Sequence, residues 1–129
     1  MNFKFWRYVL LTLAFAVGLG DPAGAQVSGR ISGTVVDPSG NSIVNAAITL
    51  TNERTGEVAT VTTNESGAFV FLTVQPSGYT VQVKAQGYST LEKKGLILSA
   101  NQILALGNLQ LAVGNVTDTV TVTAATNVE

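Results

Sequence analysis

The 129-residue chain contains no cysteine and no histidine. Those absences exclude a disulfide framework, a thiolate or imidazole zinc site, a thiol nucleophile and a serine-histidine triad within this polypeptide. They also remove the side chains that usually supply acid-base chemistry near neutral pH, which argues against an enzyme. Charge is scarce as well, at 12% of residues with a net of −1, so the basic surface that nucleic acid demands is missing. Hydrophobic residues are plentiful at 46%, and the length allows one small domain.

Residues 1–25 read as a secretory leader. Lys4 and Arg7 give a positive start, Tyr8 to Leu19 an apolar run, and Ala23-Gly24-Ala25 the small side chains that a signal peptidase accepts. Cleavage is expected between Ala25 and Gln26. The run falls short of the roughly 20 residues that span a bilayer, and Gly20-Asp21-Pro22 interrupts it. The expected product is exported, to the periplasm or the periplasmic face of the outer membrane, with free secretion as the alternative. An exported domain without cysteine holds itself together by packing alone, which favours a two-layer sandwich of short strands.

Downstream of Gln26 short runs rich in Val, Thr and Ile alternate with clusters of Gly, Pro, Asn and Ser, the pattern of an all-β fold. The alternation predicts seven strands. Arg30 to Val36 places Ile31, Gly33 and Val35 on one face, and Asn45 to Asn52 points Ala46, Ile48 and Leu50 inward. Glu57 to Thr63 and Ala68 to Thr73 are expected to form a hairpin across Asn64-Glu65-Ser66-Gly67. Tyr79 to Ala85 buries Tyr79, Val81 and Val83; Gly95 to Ser99 is a short strand; Ile103 to Leu111 carries Ile103, Ala105, Gly107, Leu109 and Leu111 inward.

The stretch Gly33-Thr-Val-Val-Asp37-Pro-Ser-Gly40, then Ile43 to Asn52, Thr63-Asn64-Glu-Ser-Gly67-Ala-Phe69-Val-Phe71 and Pro76-Ser-Gly78-Tyr79-Thr-Val81, resembles the carboxypeptidase regulatory-like domain over about residues 30–113. The resemblance implies a seven-stranded Greek-key β-sandwich of the transthyretin (prealbumin) kind, with Asp37 to Gly40 as the first turn, Phe69 and Phe71 in the core, and Gly78 bending the chain into a central strand. It says little about activity, because the fold is an accessory module joined to many partners. The expected organisation is leader 1–25, sandwich 26–113 and an extended segment 114–129.

That last segment resembles the stretch that follows such a domain in TonB-dependent outer-membrane receptors, where a plug and a β-barrel come next. Within it Thr119, Val120, Thr121, Val122, Thr123 and Ala124 look like a TonB box. The resemblance implies capture by a TonB-type energy-transducing protein through strand addition, for which β-branched, proline-free residues suit an extended backbone. An ordinary last strand paired with the sandwich explains the same residues. A barrel needs many more alternating segments of about ten residues, so the expectation is a fragment, a truncated product or a free-standing relative.

Other candidates have plainer readings. Asp37, Glu53, Glu57 and Glu65 sit in or beside turns without the spacing of a calcium loop, and are read as structural. Phe69, Phe71 and Tyr79 fall on inner faces, leaving Tyr88 in a turn and free to face a sugar. Lys84, Lys93 and Lys94 are read as a solvated strand face and a short charged loop. Arg30 stands where adhesin sandwiches with a Lys-Asn isopeptide bond resemble one another in placing a lysine. No cofactor or metal is expected. Two functions follow: a non-enzymatic accessory domain of a TonB-dependent receptor, in which 119–124 is exposed, or a free-standing module binding carbohydrate or protein, in which 114–129 pairs with the sandwich.

Overall fold

The computed structural model describes residues 28–124. The leader, the cleavage position at Ala25 and Gln26, and residues 125–129 lie outside the described residues. The alternating runs form β1 (Gly29–Val36), β2 (Ala47–Asn52), β3 (Val58–Thr62), β4 (Ala68–Val74), β5 (Ser77–Lys84), β6 (Thr90–Leu98), β7 (Ile103–Gln110) and β8 (Thr119–Thr123). They make a three-stranded sheet in the order β4-β1-β7 and a five-stranded sheet in the order β3-β2-β5-β6-β8. Neighbours are antiparallel except β1 with β7 and β6 with β8, which run parallel. The all-β sandwich read from the alternation is what the chain adopts, with eight strands among the described residues and not seven, because Thr119–Thr123 adds itself to the edge of the larger sheet.

The core lies between the two sheets, and the side chains that fill it are those the period of two selects. Ile31 and Val35 from β1, Ile48 and Leu50 from β2, and Tyr79, Val81 and Val83 from β5 are all buried. Phe69 and Phe71 are buried too, edge to face with ring centroids 6.1 Å apart, a favourable arrangement of their quadrupoles. Gly33 makes room for them, since a Cβ there would stand 2.8 Å from the Phe69 ring. Burying a side chain of this kind is worth roughly 1.5–3 kcal/mol, so this cluster supplies most of what holds a cysteine-free domain together.

Four local expectations are corrected. β3 and β4 are not a hairpin: β3 pairs with β2 and β4 with β1, so residues 63–67 arch from one sheet to the other. The buried Thr63 hydroxyl donates to Ile43 O at 2.7 Å and accepts from Ala46 N at 2.9 Å, which ties the end of β3 to the approach to β2 on the near side of the arch. Gly67 then turns with φ +70, where a Cβ would stand 2.7 Å from Val35 O. In β7, Ile103 and Ala105 face solvent while Leu104 and Leu106 lean on the core, because a register shift around Gly107, at φ +70, flips the face before Leu109. β6 begins at Thr90, five residues earlier than expected, so Lys93 and Lys94 lie in a strand and not in a loop. Gly78 lies inside β5, opposite Ile97, and does not bend the chain ahead of it.

Candidate functional site

The acidic residues serve the turns and the sheet. Asp37 Oδ1 accepts from the amides of Ser39 and Asn41 at 2.9 and 2.8 Å, closing the turn between β1 and the approach to β2. Glu53 reaches across three strands: its Oε1 accepts from Thr80 Oγ1 at 2.8 Å and from Gly95 N at 3.0 Å, which pins the irregularity in β6. The Gly95 amide first, then the Thr80 hydroxyl, hold its carboxyl below the ordinary value of 4.5. Among the described residues no three His, Cys, Asp or Glu converge on a point that could hold a metal.

A cleft of about 380 Å³ opens between β3 and β4, lined by Asn52, Glu57, Phe71, Thr73, Gln75 and Tyr79 among others. Its buried polar groups are committed to one another. Tyr79 OH donates to Gln75 O at 2.6 Å and accepts from Asn52 Nδ2 at 3.4 Å, while Asn52 Oδ1 accepts from Arg54 N, Thr55 N and Ser77 Oγ. Burial pushes the Tyr79 phenol above its ordinary 10.0 and keeps it a neutral donor. No buried side-chain nitrogen or oxygen among the described residues lacks a partner. Tyr88, expected to be free, packs against the core and bridges to Val113.

The remaining candidate is Thr119 to Ala124. Residues 119–123 form β8 at the edge of the five-stranded sheet, and each of the five side chains is exposed. Val120 and Val122 keep 46% and 43% of their surface in water. The strand is held through its main chain, in parallel register with Thr90 to Lys94. Thr90 N donates to Asp118 O and Ala124 N donates to Lys94 O, both at 2.8 Å. These bonds fix the phase of the ladder: the amides of Val120, Val122 and Ala124 face β6, and those of Thr119, Thr121 and Thr123 face the open edge.

The lead-in to β8 is built differently. Thr90, 1% exposed, donates its hydroxyl to Val116 O at 2.7 Å. Ser89 N donates to Ala112 O and Asp118 N to Asn115 O, at 2.8 and 2.9 Å. The segment is therefore rooted by a buried side chain, extended as a strand of exposed side chains, and ends at Ala124, which packs against the core. The resemblance to a TonB box implied an extended backbone for 119–124 and the plainer reading a last strand paired with the sandwich; the pairing is observed, but the root depends on Thr90, a residue that nothing in the sequence pattern marks.

The fold is shared with several solved structures. It is similar to the Bacillus anthracis TIE protein at 25% identity and a TM-score of 0.54, over 66% of this chain and 16% of that one. A Bacteroides uniformis protein whose description names carbohydrate binding gives 15% identity and a TM-score of 0.54, over 66% of this chain and 41% of that one. Catechol 1,2-dioxygenase from Acinetobacter sp. ADP1 gives 11% and 0.52, over 74% and 55%. The last two likenesses concern fold alone, and the chain spans less than two thirds of each of these proteins. No curated protein matches it. The model of the carboxypeptidase regulatory-like domain matches residues 30–112, nearly the whole described sandwich, and the chain belongs to that family.

Proposed function

We propose that the chain is a non-enzymatic accessory domain from the N-terminal, periplasmic part of a TonB-dependent outer-membrane receptor, with Thr119 to Ala124 as the segment a TonB-type protein captures. The plug and barrel of such a receptor would follow it. The observation that carries the reading is β8: directly after the family domain stands an uncharged, β-branched edge strand whose five side chains are all exposed. Such a strand offers a partner free backbone groups along one side and alternating Thr and Val side chains above and below. The leader-like residues 1–25 agree with export to the periplasm.

In this reading the sandwich anchors and the strand transmits. Energy from the inner membrane arrives as tension on 119–124, and the domain beneath stays folded because the buried residues of its core come from residues 31–111. The test is binding of a peptide spanning Asp118 to Ala125 to the C-terminal domain of TonB. The expected result is an affinity comparable with that of an established box of another receptor under the same conditions. Loss of binding where that control binds would overturn the reading.

The rival, a free-standing carbohydrate- or protein-binding module, draws on the pairing of β8 with β6, since a module of that kind keeps its last strand in the sheet. Among the described residues its carbohydrate form finds no aromatic platform, because Phe69, Phe71 and Tyr79 are buried and Tyr88 packs on the core. Glycan-array binding by the chain, lost when β8 is left intact and surface loops are changed, would favour it.

A further inference from the structure

We infer that the outer edge of β6, Thr90 to Lys94, is a strand-binding site whose resident ligand is the chain's own Thr119–Thr123, and that this docking masks the segment from an outside partner. The inference rests on the proposed capture only for the identity of that partner. Three observations carry the docking itself. The five residues pair in continuous register with Thr90 to Lys94 and are stitched at both ends, by Thr90 N to Asp118 O and by Ala124 N to Lys94 O. All five side chains are exposed, Val120 and Val122 at 46% and 43%, so the main-chain ladder does more than side-chain packing to keep the strand in place. The root ends at a buried side-chain clamp, Thr90 Oγ1 on Val116 O, beyond which Ala124 alone among the described residues packs against the core.

The phase of the ladder decides which amides an outside partner finds free. β6 takes the amides of Val120, Val122 and Ala124, leaving those of Thr119, Thr121 and Thr123 outward. A partner that needs the inner set competes directly with β6, and its apparent affinity falls by the fraction of time the strand is undocked. Any strand of similar chemistry that reaches the vacated edge can take the same place, because main-chain pairing carries little sequence preference.

Amide hydrogen exchange on the full chain tests this. Val120, Val122 and Ala124 are expected to be protected while Thr119, Thr121 and Thr123 exchange as an open edge; equal, fast exchange at all six overturns the inference. Thr90→Val keeps the volume but removes the clamp, and should lower protection at the three inner amides about fivefold to tenfold with Val81 and Val83 unchanged, the weight of one buried hydrogen bond. Should that variant not fold, excess synthetic peptide Asp118 to Ala124 added to the unaltered chain should strip protection from the same three amides, and failure to do so at saturating peptide counts against the site. The two readings fail separately. Alternate protection without binding of the TonB C-terminal domain keeps the docking site and removes the partner, whereas binding with uniform exchange does the reverse.

Discussion

β5 and β8 lie in one sheet, separated only by β6, and both alternate Val with polar residues. Val81 and Val83 of β5 are 1% and 0% exposed, yet Val120 and Val122 of β8 are nearly half in water. The difference is in what lies opposite. Five strands face three, so the inner strands of the larger sheet meet the core while its edge overhangs. Alternation specifies an extended strand, and the facing layer decides whether its apolar half is used for packing or left for a partner.

That contrast can be attacked from its strong side first. Phe71→Ala removes a buried ring from the core and should cost about 3–5 kcal/mol in chemical denaturation, enough to unfold much of a domain this small. Thr63→Val should cost about 1–3 kcal/mol by the same measurement, because it strands Ile43 O and Ala46 N at the arch between the sheets. A subtler effect belongs to Glu53, whose carboxyl is held below its ordinary value in the fold. Its contribution is present above the ordinary carboxylate range and is lost as pH falls through the lowered folded value. The stability gap between the unaltered chain and Glu53→Gln should therefore close on acidification below about pH 4.5 in a denaturation series. Smallest of all, Val122→Ala should stay within about 0.5 kcal/mol, as for an exposed surface position. A loss from Val122→Ala as large as that from Phe71→Ala would erase the distinction between the two strands.

Much of the sandwich was legible in the sequence because its signals are side-chain signals. Ile31, Val35, Ile48, Leu50, Val81 and Val83 announce their burial through spacing, and Phe69 and Phe71 through size. Legibility fails where the main chain or a single contact decides. The register shift around Gly107 reverses the face of β7 with no change in composition, and Thr63 ties down the near side of an arch, through two hydrogen bonds, where a hairpin was expected. Lys93 and Lys94 read as a short charged loop, yet lie in β6, where Lys94 pairs with Glu92 at 3.1 Å. The candidate site is the extreme case. A strand held mainly by its backbone leaves no apolar pattern to show which edge it joins, so 119–123 could be read as a strand but not placed.

The most direct test of the account is a nuclear magnetic resonance titration of the labelled chain with the C-terminal domain of TonB. The account predicts resonance shifts at Thr119 to Ala124 and along the facing edge of β6, Thr90 to Lys94, with the amides of β1, β2 and β5 unmoved. Shifts confined to the sandwich with 119–124 unchanged, or no shift at saturating partner, would contradict it.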